Sequence, residues 1–266
     1  MSALAVLWFF LIFVLIAGYF VLDGFDLGVG VLYRALAKDE RERALVRRSI
    51  GPVWDGNEVW LLTAGGALFA AFPAAYATTF SGFYLAVMLV LFGLIVRAVS
   101  LEFRAHDPKW ARAWDVCFTV GSLLPALLLG VALGNVIAGI PMAANGDYAG
   151  VPLLGLLSPF TLVAGLLGLA MCLSAGAAWV ALKAPAGSAV HKRAAKLRVP
   201  CQVAALVLFA VATVLAFAVV KPVFAPGMLA AGVVIALVFL ACVVASIVLG
   251  HKGNDLVAFL LQSAAA

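Results

Sequence analysis

The feature that most constrains this chain is a series of long apolar stretches, each close to the thickness of a lipid bilayer. A helix needs about 20 apolar residues to cross a hydrocarbon core of ~30 Å. Seven stretches reach that length: 3–33, 52–72, 81–101, 114–140, 159–182, 199–220 and 227–249. An eighth, 255–266, rises only about 18 Å as a helix and is expected to be an incomplete span. The sequence therefore predicts an all-α, polytopic transmembrane bundle that forms one membrane-embedded domain over 1–266.

The composition excludes a soluble protein. Hydrophobic residues make up 66% of the chain and charged residues 11%, whereas a soluble domain has about 25% charged residues. The net charge of +5 does not indicate nucleic-acid binding, because the basic residues lie in short connections between apolar stretches. We expect no nucleic-acid partner.

The distribution of basic residues predicts the orientation of the bundle. Lys and Arg are concentrated in the connection 34–50, around the third connection and in the connection 183–198. The connections 73–80 and 141–158 contain neither residue. Because cytoplasmic loops carry an excess of Lys and Arg, this alternation predicts a periplasmic N-terminus and cytoplasmic odd-numbered connections.

Two acidic side chains stand where the second apolar stretch begins. The run GPVWDGNEVWLL at 51–62 contains Asp55 and Glu58, which are three residues apart and so share one face of a helix. An acid that faces lipid costs about 2.5–3.5 kcal/mol at mid-membrane, so such residues normally face protein or water. The alternative is that both acids reach back to the lipid headgroups.

A second acidic pair is predicted at the same depth. Asp23 and Asp26 come after about 30 Å of helical rise from the outer side, which places them near the inner leaflet. Asp55 and Glu58 open the second span from that side, so the four acids are expected to form one cluster. Arg97 is the natural counter-ion. For Arg97, and for Glu102 and Asp115 at similar depth, the alternative is interfacial snorkelling.

Residues that would hold haem or metal are missing from the spans. His106, His191 and His251 lie in connections or at the end of a span, so no span offers a pair of histidines for haem ligation. Four cysteines are scattered without the spacing of a metal site: Cys117, Cys172, Cys201 and Cys242. We expect this chain to bind neither haem nor metal.

Four longer motifs carry a resemblance to a known family. They are GYFVLDGFDLGVG at 18–30, GPVWDGNEVWLLTAGGALFAAFPAAYA at 51–77, SGFYLAVMLVLFGLIVRAVSLEFR at 81–104 and GSLLPALLLGVALGNVIAGIP at 121–141. Together they resemble subunit II of cytochrome bd-type quinol oxidases. The resemblance implies a heterodimer in the bacterial inner membrane, in which quinol reduces dioxygen to water in the respiratory chain. Subunit I carries the haems, either haem b and haem d or haem b only, and small single-span accessory subunits join some complexes.

The resemblance also implies roles for individual residues. Subunit II stabilises the haem-bearing partner and lines a cytoplasmic proton route. Asp55 matches the proton-route acid of the family, with Asp23 or Asp26 at the entry and Glu58 in the same funnel. Some members hold a structural quinone near residues that match Trp54, Arg97 and Asp115. Membrane lipids and quinone are therefore expected to contact the chain.

Two further expectations follow. Members of the family usually continue for another span or two, so this chain is expected to stop inside its eighth span. The alternative to the oxidase subunit is a stand-alone proton- or cation-coupled transporter whose intramembrane acids bind the coupling ion. That alternative requires broken helices near the midplane and inverted repeats, and no clear repeat is visible.

Overall fold

The computed structural model describes residues 2–144, 146–221 and 227–266, and most of these residues are helical. In chain order the helices are α1 (Ala3–Leu36), α2 (Glu40–Ile50), α3 (Trp54–Ala71), α4 (Pro73–Gly82), α5 (Tyr84–Phe103), α6 (Ala111–Ala138), α7 (Pro159–Lys183), α8 (Ala189–Leu215), α9 (Met228–His251) and α10 (Asp255–Ala265). Short 3-10 turns occupy Pro108–Trp110 and Leu154–Leu156, and a π-helical turn, Ala216–Val220, extends α8. The prediction of an all-helical membrane bundle is confirmed.

Six helices in the described ranges are long and apolar enough to cross a membrane. They are Ala3–Leu36, Tyr84–Phe103, Pro108–Ala138, Pro159–Lys183, Ala189–Val220 and Met228–His251, which match six of the seven predicted stretches. The seventh, 52–72, is the 18-residue helix α3, whose first turns carry Asp55, Asn57 and Glu58 and lower its apolar character. The count of seven complete spans and the periplasmic N-terminus therefore stay predictions. Helix α10 is short, as expected.

Three segments predicted as connections form helices, wholly or in part. Within 34–50, Asp39 caps α2 by accepting a hydrogen bond from the N–H of Glu42, because an N-cap carboxylate satisfies a free amide of the first turn. Helix α8 begins at Ala189, and so includes most of the basic residues assigned to the connection 183–198. Between the second and third stretches, Pro73 ends α3 and starts α4, since the residue before a proline disfavours helical geometry.

Glycines set the closest helix contacts. A Cβ on Gly28 of α1 would lie 1.8 Å from the carbonyl oxygen of Cys172, and one on Gly176 of α7 would lie 2.5 Å from the backbone of Gly28. A Cβ on Gly30 would lie 1.9 Å from the hydroxyl of Ser122 in α6. Small residues allow membrane helices to pack backbone against backbone. Helix α1 is thereby held against α6 and α7.

Burial along α1 is uneven, and this unevenness positions the acids. Residues 23–30 of α1 are all buried, whereas most residues from Leu4 to Ile16 are exposed. The buried half is surrounded by α3, α6 and α7. Asp23 and Asp26 lie in this half and are completely shielded from solvent.

Candidate functional site

A buried arginine holds two acidic side chains from different helices. Arg97 of α5 donates from Nη1 to Oδ2 of Asp23 at 2.9 Å and from Nη2 to Oδ1 at 2.7 Å. The same Nη1 donates to Oε1 of Glu58 in α3 at 3.1 Å. Arg97 and Asp23 are both 0% exposed, and the Glu58 side chain is 24% exposed. We call Asp23, Glu58 and Arg97 the central ion network, and it confirms Arg97 as the counter-ion of the predicted acids.

The bidentate geometry explains how these charges are tolerated inside the bundle. Removing two charges from water costs several kcal/mol per ion, and only good geometry with additional hydrogen bonds offsets that cost. A guanidinium matches a carboxylate with two parallel hydrogen bonds. The network therefore joins α1, α3 and α5 through one shared cation.

Asn57 binds Asp26, the fourth side chain of the site. Its Nδ2 donates to Oδ2 of Asp26 at 2.7 Å and to the carbonyl oxygen of Leu22 at 3.1 Å. The other carboxylate oxygen of Asp26 is buried and has no hydrogen-bond partner among the residues the structure describes. Sequence reasoning gave Asn57 no role, although its position beside Glu58 in the motif WDGNE was a usable signal.

Asp55 lies outside the cluster, contrary to the expectation that all four acids meet. Its side chain is exposed, and Oδ1 accepts a hydrogen bond from the N–H of Gly56 at 2.8 Å. The first turn of a helix has free amides, and the carboxylate binds one of them instead of turning inward. Three of the four predicted acids are thus brought together, and the fourth is presented on the surface of α3.

A second ion network lies at the end of α5. Arg104 donates from Nε to Oδ1 of Asp115 at 2.8 Å and from Nη2 to Oε2 of Glu40 at 2.6 Å, while Arg43 pairs with Asp115 at 3.3 Å. Burial opposes ionisation of Glu40, but the hydrogen bonds and positive charges of Arg104 and Arg47 together outweigh burial and lower the pKa of that carboxyl. The snorkelling alternative is therefore wrong for Asp115, which pairs within the protein. The sequence analysis did not predict that Arg104 binds both Asp115 and Glu40.

Three residues were predicted to lie near a quinone, and the structure gives the contacts of each. The Trp54 ring centroid is 6.0 Å from Cζ of Arg97, so these two residues are neighbours. Asp115 instead pairs with Arg104 and Arg43. A quinone near these three residues therefore stays a prediction.

The sequence of the chain matches a known protein family. The model of the family described as cytochrome bd terminal oxidase subunit II matches residues 4–266. The chain is 42% identical over 212 residues to cytochrome bd-I ubiquinol oxidase subunit 2 of Escherichia coli K12, covering 77% of this chain and 54% of that protein. It is 47% identical over 147 residues to cytochrome bd ubiquinol oxidase subunit 2 of Bacillus subtilis 168, covering 54% of this chain and 44% of that protein. The chain spans about half the length of these curated relatives.

A solved structure supports the fold. A chain in the structure of bd oxidase from Geobacillus thermodenitrificans superposes with a TM-score of 0.75 at 19% identity. The match covers 99% of this chain and 82% of the other. At that identity the likeness supports the arrangement of helices and says nothing of individual side chains.

Proposed function

The chain belongs to the family of cytochrome bd terminal oxidase subunit II, and on that premise we propose that it serves as the non-haem subunit of a quinol oxidase in the bacterial inner membrane. In this proposal the partner, subunit I, holds the haems and carries out the oxidation of quinol and the reduction of dioxygen to water. This chain supports that partner and supplies protons. The family match does not favour the stand-alone transporter.

The observation that carries the proton route is the shared cation. Two carboxylates, those of Asp23 and Glu58, bind one guanidinium, and Asp26 adds a third acid that is held by Asn57, the residue next to Glu58. The site therefore has more acids than paired cations. Buried acids with an excess of negative charge are typical of proton relays in membrane proteins. Asp26 also offers a free oxygen on which a proton can reside.

Exposure suggests the order of the route. Asp23 and Asp26 are completely buried, Glu58 is partly exposed, and Asp55 stands on the outer surface of α3. We infer that protons gather at the buried acids, pass through Glu58 and leave this chain at Asp55 towards subunit I. Arg97 positions Asp23 and Glu58 and neutralises part of the negative charge of the site. Protons drawn from the cytoplasm for dioxygen reduction generate a membrane potential without a separate pump.

The quinone has no part in the proposed route. Trp54 and Arg97 adjoin each other, but Arg97 is occupied by Asp23 and Glu58, and Asp115 belongs to the second network. A quinone near Trp54, Arg97 and Asp115 stays an expectation from the resemblance. We therefore derive no step through a quinone bound to this chain.

Purification from native membranes tests the proposal. The expected result is that the chain elutes with a haem-containing membrane subunit and that the complex consumes oxygen when quinol is supplied. Isolation as a haem-free protein that moves a cation into liposomes would overturn the proposal and favour the transporter.

A further inference from the structure

A basic cleft lies apart from both ion networks. It has a volume of about 610 Å³ and is bounded by α2, by the segment that leads into α3 and by the end of α7. Arg41, Arg48 and Lys183 supply its charge, and Leu45 and Val53 supply apolar wall. Among the residues that the structure describes, no acidic side chain lines it. The cleft therefore combines concentrated positive charge with hydrocarbon contact.

The arginines of α2 divide into two faces. Arg43 pairs with Asp115, and Arg47 pairs with Glu40 and donates to the hydroxyl of Tyr33. Arg41 and Arg48 are exposed, and the described part of the chain offers neither of them a carboxylate. They are seven residues apart, which puts them on one face about 10 Å apart along the helix. Their charges are available to an external anion.

The wall formed by α7 is held in place by hydrogen bonding and stacking. The indole N–H of Trp179 donates to the carbonyl oxygen of Ser49 at 3.0 Å, and its ring stacks on Phe25 at 4.4 Å between centroids. Nζ of Lys183 lies 4.5 Å from the centroid of the same ring. Lys183 is exposed, so its ammonium can also reach an anion in the cleft.

The location of the cleft indicates the ligand class. It lies where α1 and α7 end and α3 begins, at the boundary between apolar helix and polar connection. Basic pockets at this level of a membrane bundle bind the headgroups of anionic lipids. We propose that the cleft binds the phosphate headgroup of an anionic phospholipid, with Arg41, Arg48 and Lys183 around the phosphate and acyl chains along Leu45 and Val53.

Lipid titration of the protein purified from native membranes, with any subunit that accompanies it, tests this site. After delipidation, native mass spectrometry measures binding of cardiolipin, phosphatidylglycerol and phosphatidylcholine, with glycerol phosphate as the soluble competitor. The variant Arg41→Gln/Arg48→Gln is compared with Arg34→Gln/Arg112→Gln, which removes the same charge from exposed arginines outside the cleft. Each cation near an anionic lipid contributes roughly a fivefold change in affinity.

The expected result is that anionic lipids bind more tightly than phosphatidylcholine, and that the cleft variant loses roughly 25-fold in that preference while the control keeps it. Equal loss in both double variants would show that overall charge decides, and would overturn the site. Displacement of the lipid by equimolar glycerol phosphate would overturn the assignment to a lipid. If the cleft variant does not assemble, Lys183→Gln carries the test, with an expected loss of roughly fivefold; unchanged binding there overturns the proposal.

Discussion

Arg97 and Asp23 form a bidentate ion pair in which both side chains are completely buried, although 74 residues separate them in the sequence. The pair fixes the rotation of α5 relative to α1. Of the two carboxylates that bind Arg97 in the described chain, Glu58 is the one that keeps contact with the surface. One guanidinium thus connects the protein interior with the start of α3.

Replacement of Arg97 by glutamine is expected to destabilise the protein by about 3–5 kcal/mol, because it leaves Asp23 buried without its cation. Thermal unfolding of the purified protein in detergent measures the effect, and Arg112→Gln, at an exposed arginine, serves as the control. Adding Asp23→Asn to Arg97→Gln is expected to recover part of the loss. An Arg97→Gln protein as stable as the unmodified one would refute the structural importance of the pair.

If the chain serves in the proposed oxidase, Asp55→Asn is expected to slow oxygen consumption by the complex on the order of a hundredfold while leaving the haem spectrum of the proposed partner intact. The physical reason is that the amide cannot accept and release a proton. Glu102→Gln is the control, since Glu102 is also an exposed acid and lies outside both networks. Loss of haem from the Asp55→Asn complex would show a structural role, and normal turnover would remove Asp55 from the route.

Asn57→Ala is expected to cost about 1–3 kcal/mol, because it leaves Asp26 buried with both oxygens unpaired. The two side chains act on each other directly, so their effects should not add. A double-mutant cycle with Asp26→Ala measures this coupling through unfolding midpoints. Strict additivity would mean that the hydrogen bond contributes nothing to stability.

Gly28→Ala is expected to destabilise the bundle by about 1–3 kcal/mol or more, because the new methyl group would meet the backbone oxygen of Cys172. Backbone cannot swing aside as a flexible side chain can, so α1 and α7 would have to separate. Gly65→Ala is the matched control, since no atom lies within 4 Å of its added Cβ. That change should be neutral or slightly stabilising through helix propensity. Similar unfolding midpoints for both variants would contradict the close packing.

The protein should become less stable at acidic pH, because Glu42 loses its negative charge there. Its ion pair with Arg193 at 2.5 Å and the N–H of Lys38 lower the pKa of this carboxyl, so its contribution is present at neutral pH. That contribution is lost as the pH falls through the lowered pKa, because the protonated acid no longer attracts Arg193. Unfolding midpoints measured between neutral and acidic pH should therefore fall less steeply for Glu42→Gln than for Glu102→Gln. Identical slopes would exclude Glu42 as a source of the pH dependence.

The observed helix ends show which parts of the fold could be predicted from the sequence. Six predicted spans form helices, and most of their ends lie within a few residues of the predicted ones. The exception is α8, which begins ten residues before the predicted Val199. The helices inside the predicted connections were harder to predict. Helix α2 and the first turns of α8 are charged, so a search for long apolar stretches does not find them. Their starts are marked instead by the N-cap residues Asp39 and Ser188. The break between α3 and α4 at Phe72 could be predicted from Pro73 alone.

The sequence by itself determined that this chain is a helical membrane bundle, that its acids occur in two pairs and that Arg97 is available to neutralise them. Spacing within one helix and the demand of the bilayer for satisfied backbone groups are enough for those conclusions. Only the tertiary structure decided that Asp23 and Glu58 share Arg97, that Asp115 pairs with Arg104 and that Asp55 faces outward. Those choices depend on how each helix is rotated and how closely it packs at Gly28 and Gly176, and such relations arise between distant segments of the chain.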